Sequence, residues 1–228
     1  AGHERGDIVG QYRILSVDVQ RNYFVWLVRG FDPDGTSYLI DNGTVPSFVD
    51  FKSLIDRYEV NYGVIDTGYR TQEIYEEIYL ERHFWFGAKG WAKMPTPYRL
   101  TKIDPYSVFK KQARRGSSKI NMFHVNKDIW QQELLKKRGG SALNWFLYEG
   151  IDVDYMRQLL STNLVESVNK KGRAVREWVV NGKHDHFWDC EVNALALSSA
   201  FGIGVVKAEK KEIPEMKART AMVDESIW

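Results

Sequence analysis

Three observations predict an α/β fold with a mixed sheet flanked by helices. Short apolar runs rich in β-branched and aromatic residues occupy 12–20, 22–30 and 37–41, joined by tight turns. After them, helical periodicity alternates with short apolar runs as far as residue 89. A helix of small apolar residues then spans about 186–201. Antiparallel strands followed by β-α-β units specify a mixed sheet.

The elements follow in order. Residues 12–20 and 22–30 are strands separated by a residue or two, which requires a hairpin. Asp32-Pro33-Asp34-Gly35 is a turn, and 37–41 forms a third strand. Asn42-Gly43-Thr44 matches a glycosylation sequon, but Asn-Gly reads better as turn chemistry. Ser47 caps a helix running to about residue 58, with Phe48, Phe51, Leu54 and Ile55 on one face. A short buried strand ends at Asp66, and a helix over 71–82 carries Ile74, Ile78 and Tyr79 at helical spacing. A strand over 84–89 is closed by Gly90. Three antiparallel strands, then helix, strand, helix and strand, is the order of a ribonuclease H-like core.

Residues 91–183 form an insertion-rich part. Within it, 119–125 reads as a strand and 126–137 and 152–160 as helices. Segments 163–169 and 173–180 flank Lys170-Lys171-Gly172 and suggest a projecting β-hairpin. The expected organisation is a flexible start (1–11), one main domain (12–206) and a loosely held tail (207–228) rich in Lys and Glu.

Composition narrows the function classes. With 228 residues, 43% hydrophobic and 14% aromatic, the chain can bury one sizeable core. A net charge of +2 is too mild to establish a polyanionic partner, although local basic clusters keep nucleic acid open. The single cysteine, Cys190, excludes an intrachain disulfide, fits a reducing cytoplasm and reads as a packed core residue. No apolar run approaches the ~20 residues of a membrane helix, and no signal peptide is present, so a soluble intracellular domain is expected. There is no Gly-x-x-x-x-Gly-Lys-Ser/Thr loop, which excludes P-loop ATP hydrolysis.

Three aspartates carry the chemistry. Asp18 interrupts the apolar run Ile14-Leu15-Ser16-Val17-Asp18-Val19, Asp66 ends Val64-Ile65-Asp66-Thr67-Gly68, and Asp189 opens the small-residue helix. A charge at the end of a buried strand is costly unless compensated, and a divalent cation is one compensation. Two-metal nucleases need carboxylates converging on ions ~4 Å apart, which activate a water and stabilise the leaving oxygen. Oxygen-only ligation favours Mg²⁺ or Mn²⁺ over zinc. Turn or capping roles compete for Asp66 and Asp189, whereas Asp18 is hardest to explain away.

His184-Asp185-His186 lacks partners at zinc-finger spacing and reads as a polar loop. Asp185 and His186 sit one turn from Asp189, so either is a candidate fourth ligand or supporting partner. Lys89 is a candidate for stabilising the phosphorane charge, with an exposed strand-end lysine the competing reading. Lys110, Lys111, Arg114 and Arg115 in one basic stretch, and Lys170, Lys171 and Arg173 at the hairpin tip, are candidates to clasp a phosphate backbone.

Four motifs together resemble a known family: Ser16-Val17-Asp18-Val19-Gln20, Ile65-Asp66-Thr67-Gly68, Ala88-Lys89-Gly90, and Trp188-Asp189-Cys190-Glu191-Val192-Asn193-Ala194-Leu195-Ala196. They are similar to the nuclease region of lambda-type (GpA-like) phage terminase large subunits, over roughly residues 12–203. The resemblance implies a ribonuclease H-like, retroviral-integrase-like fold and a Mg²⁺- or Mn²⁺-dependent endonuclease that cuts concatemeric viral DNA. It carries acidic-residue roles onto Asp18, Asp66 and Asp189 and implies two ions, bridged by Asp18, with water as the nucleophile. The family often has another polar residue where this chain has Asp185. Implied partners are double-stranded viral DNA, the terminase ATPase domain, the small terminase subunit and the portal, in the host cytoplasm. The ATPase region is missing, so an excised domain or a separate motor polypeptide is expected. Competing readings are a junction resolvase, a transposase core, or a non-catalytic DNA or portal docking module.

Overall fold

The computed structural model describes residues 2–105, 119–140, 144–168 and 172–203. It opens with β1 (Tyr12–Val19), β2 (Phe24–Phe31) and β3 (Ser37–Val45), each antiparallel to the one before. Helix α1 (Phe51–Arg57), strand β4 (Tyr62–Asp66), helix α2 (Thr71–Leu80) and strand β5 (Trp85–Trp91) then alternate. Strand β4 lies parallel to β1, and β5 parallel to β4. The remaining elements are β6 (Tyr98–Ile103), β7 (Ile120–Asn126), α3 (Lys127–Arg138), β8 (Trp145–Phe146), α4 (Val153–Ser161), β9 (Thr162–Val168), β10 (Ala174–Val180) and α5 (His186–Ala200).

Eight strands form one sheet in the order β6-β7-β5-β4-β1-β2-β3-β8, while β9 and β10 pair as a separate hairpin. The run β3-β2-β1-β4-β5 is the ribonuclease H-like arrangement that the element order predicts. Two strands escape a pattern reading. Strand β6 mixes half-exposed and exposed side chains at the sheet edge without regular alternation, and β8 is only two residues long. The insertion thus extends the sheet at both edges.

Both faces are covered, so β1 reads as a nearly continuous apolar run. On one face Ile14, Val64 and Ala88 pack with Trp188, Val192 and Ala196 of α5. On the other, Val17 and Ile65 pack with Phe51, Ile74, Ile78 and Trp85. Small residues along α5 let its backbone approach β1 and β2 closely.

Three expectations are corrected. Asn42-Gly43-Thr44 lies within β3, because that strand pairs along the whole of β2, from Phe31–Ser37 to Phe24–Val45. Gly43 suits this position because a Cβ there would stand 3.2 Å from the Trp26 ring. The helix expected over 47–58 is a short 3₁₀ turn, Phe48–Asp50, followed by α1. Residues 2–11, expected to be loose, dock on the body: His3 is buried, with Nε2 2.7 Å from the Leu39 carbonyl oxygen.

Candidate active site

Strand register brings the first two aspartates together. Val17 pairs with Ile65 across the parallel β1–β4 ladder, so the next step sets Asp18 beside Asp66. Alternation along each strand puts Asp18 with Ile14, and Asp66 with Val64, on the face beneath α5. Helix α5 packs on β1, and its first turn carries Asp189. All three carboxylates therefore lie toward the carboxyl ends of β1 and β4, near enough that Asp18 and Asp189 both act on Asp66, in the region where α/β sheets commonly place their ligands.

The electrostatics follow from this convergence. Burial, followed by the charge of Asp18, pushes the Asp66 carboxyl up to about 6, with Asp189 acting in the same direction. The Gly68 amide donates to Asp66 Oδ2 at 3.1 Å and only partly offsets it. Burial also raises Asp189, against the opposing pull of Lys127. His186 Nδ1 stands 2.8 Å from Asp18 Oδ2, and the Gln20 amide donates to the same oxygen at 2.6 Å. The hydrogen bond to Asp18 raises His186 despite its partial burial, and Asp185 and Asp189 add to the effect. Asp185 is the N-cap position of α5, where its Oδ2 accepts from Thr162 Oγ1 at 3.5 Å. It lies close enough to influence Lys127, His186 and Asp189.

Lys89 does not join this cluster. It alternates with Ala88, which faces α5, and its Nζ lies 5.1 Å from the centre of the Trp91 ring. The cation that reaches the carboxylates is instead Lys127, the first residue of α3, with Nζ 2.7 Å from Asp189 Oδ1. Gly90 makes room for its stem, since a Cβ there would stand 2.6 Å from Lys127 Cδ. Burial works to lower the Lys127 pKa, but Asp189, Asp185 and Asp66 together raise it. One sequence signal points to this lysine: a cation in the first turn of a helix is opposed by the helix dipole. Its position next to Asp189 is hidden in the sequence, because it depends on β7 lying parallel to β5.

Of the basic candidates, Arg173 is exposed just before β10. Lys110, Lys111, Arg114, Arg115, Lys170 and Lys171 lie outside the described residues. Cys190 is buried and free, its Sγ 3.7 Å from the Val25 carbonyl oxygen. Burial, then the neighbouring Asp18 and Asp189, push its thiol pKa far up, which suits a packed residue and not a nucleophile. Among the described residues, no three His, Cys, Asp or Glu side chains form a ready-made metal-ligand group. No helix among those residues is long and apolar enough to cross a membrane.

The model of the terminase large subunit gpA endonuclease domain matches residues 12–211. No curated protein sequence matches the chain. The large terminase nuclease of thermophilic phage G20c, in a structure with bound magnesium, is 15% identical with a TM-score of 0.49, over 86% of this chain and 89% of that one. The large terminase nuclease domain of Thermus phage P74-26 is 17% identical with a TM-score of 0.41, over 82% of this chain and 77% of that one.

Proposed function

The chain belongs to the family of terminase large subunit gpA endonuclease domains, and from that premise we propose a divalent-metal-dependent endonuclease that cuts concatemeric double-stranded viral DNA during genome packaging. What supports this reading is the strand register that sets Asp18 beside Asp66, with Asp189 of α5 near enough to act on the same carboxyl, which is pushed up to about 6. Carboxylates that act on one another in this way gain from a hard cation, and their all-oxygen chemistry fits Mg²⁺ or Mn²⁺. Two such ions, when bound, supply an activated water and neutralise charge at the leaving oxygen.

The chain's own residues then have distinct tasks. Asp18 and Asp66, on adjacent parallel strands, are the rigid pair of ligands, and Asp189 completes the set from α5. His186 and Gln20 orient Asp18 through the contacts at 2.8 and 2.6 Å. Asp185 is a further ligand candidate one turn before Asp189, while Lys89, held over the Trp91 ring away from the carboxylates, is given no part in the reaction. Lys110, Lys111, Arg114, Arg115, Lys170, Lys171 and Arg173 are the proposed backbone contacts to DNA. The terminase ATPase domain, the small subunit and the portal are the proposed partners, and the host cytoplasm the proposed location.

Plasmid cleavage by the purified chain in Mg²⁺, Mn²⁺, Ca²⁺ or EDTA tests this, beside Asp18→Ala and Asp66→Ala. Cutting is expected in Mg²⁺ or Mn²⁺ and not in EDTA. Each variant should lose at least about 100-fold, since even partners that only support a metal ligand cost up to that much. Undiminished cutting by folded variants would overturn the site. A four-way junction offered beside linear duplex distinguishes a resolvase.

A further inference from the structure

We propose that Lys127 is the built-in counter-ion of the carboxylate site, and that its ammonium and an incoming divalent cation exchange on Asp189. This rests on the metal-ligand reading of Asp18, Asp66 and Asp189. Three observations support it. The Lys127 Nζ stands 2.7 Å from Asp189 Oδ1, an oxygen that the same reading gives to a cation. The lysine enters from the first residue of α3, against the helix dipole, with its stem running over Gly90, where a Cβ would stand 2.6 Å from its Cδ. A route out also exists: Lys127 lines a cleft of about 490 Å³ between α3 and the β9–β10 hairpin, together with Lys93, Gln131, Arg176 and Trp178.

The physical argument is competition. Asp18, Asp66 and Asp189 act on one another unfavourably, and the ammonium of Lys127 is the cation bonded to Asp189, with His186 nearby. A divalent ion brings twice the charge, but it must displace Lys127 from Asp189 and then tolerate a cation beside it. Both effects oppose metal binding, so Lys127 weakens the site's affinity while steadying its geometry. Once displaced, the ammonium faces a cleft lined by Lys93, Arg176 and one acid, Asp128, whose net positive charge suits an anionic phosphodiester.

Calorimetric titration with Mn²⁺ tests the exchange, using the full chain, Lys127→Met and Lys127→Gln, with Asp66→Asn as the control for site binding. Both lysine variants are expected to bind Mn²⁺ at least about five-fold tighter than the parent, as removal of a neighbouring like charge requires. They should also melt at lower temperature in EDTA and gain a larger rise in Tm on adding Mn²⁺. In the unaltered chain, the ¹⁵N resonance of the Lys127 ammonium should move when Mg²⁺ is added, which keeps the test open if the variants fold poorly. Equal or weaker Mn²⁺ binding by folded variants would overturn the exchange, leaving Lys127 as an orienting partner of Asp189. If the parent shows no Mn²⁺ binding that Asp66→Asn removes, the metal reading fails first and the exchange falls with it.

Discussion

Asp66 ends β4 beside Asp18, and burial and that neighbouring charge outweigh the Gly68 amide donor. Its folded pKa of about 6 lies above the unfolded carboxylate value of 3.8. The native chain thus holds the Asp66 proton more tightly than the unfolded chain does. The stabilisation this gives is fully present below the unfolded value and is lost as pH rises through about 6. Groups facing Asp66 include Asp18 from β1, Asp189 from α5 and Lys127 from α3, the last working in the opposite direction. Asp66→Asn should therefore stabilise the protein in EDTA at pH 8 by about 3 kcal/mol, since each tenfold difference in proton affinity between the two states is worth ~1.4 kcal/mol. The gain should shrink toward nothing near pH 4. Thermal unfolding of both proteins in EDTA across that range checks it, and a gain independent of pH would mean that packing, not charge, is responsible. At this scale the sequence is legible where a charge breaks an apolar run, as Asp18 does. Lys127 leaves only the weak signal of a cation in a first helical turn, and its run Asn126-Lys127-Asp128 otherwise has the look of an ordinary exposed helix start.

Helix α5 holds Asp189 in place by a device on its far side. Arg29 of β2 and Glu191 of α5 are each about 1% exposed and form a two-pronged pair, with Nε to Oε2 and Nη2 to Oε1 both at 2.7 Å. Tyr155 of α4 donates its hydroxyl to the same Glu191, and Arg29 lies over the Trp145 ring. Two residues along the helix from Asp189, Glu191 turns away from the site, as the helix period requires. The pair therefore fixes both the rotation and the depth of α5 on the sheet. Glu191→Ala leaves a buried guanidinium without its carboxylate, which should cost about 3–5 kcal/mol in urea unfolding. A loss below about 1 kcal/mol would show that water or a rearranged neighbour solvates Arg29. Arg29 and Glu191 are each visible as charges among apolar residues, yet their pairing spans 162 positions and depends on tertiary packing. Elements that depend on local periodicity, such as α3, α4 and the β9–β10 hairpin, are legible to within a residue or two. Strands β6 and β8 are not, since a half-exposed edge strand and a two-residue strand carry almost no periodic signal.

On the scale of the whole molecule, the first residues of the chain tie the β3 edge of the sheet to the segment leading into α4. The Gly6 amide donates to the Ile40 carbonyl at 2.8 Å, and the Glu149 amide donates to the His3 carbonyl at 2.9 Å. Arg5 donates from Nε to Asp41 Oδ1 at 2.6 Å, from Nη2 to the Asn42 carbonyl at 2.7 Å, and from Nη1 to Asp152 Oδ2 at 3.1 Å. Tyr148 closes the ring of contacts by donating to Asn42 Oδ1 at 2.7 Å. Arg5 is nearly half exposed, so its ion pairs count for less than a buried pair would, whereas the His3 contact is shielded from water. These bonds cross between segments more than a hundred positions apart, so losing them loosens two regions at once. The double variant His3→Ala, Arg5→Ala should lower stability by about 2 kcal/mol in urea unfolding, roughly one net hydrogen bond's contribution from each side chain. Hydrogen exchange should rise at the Ile40 and Glu149 segments and stay unchanged in β4, the strand that carries Asp66. Exchange that increased everywhere alike would mean that the N-terminal segment supports the global fold and not this one seam.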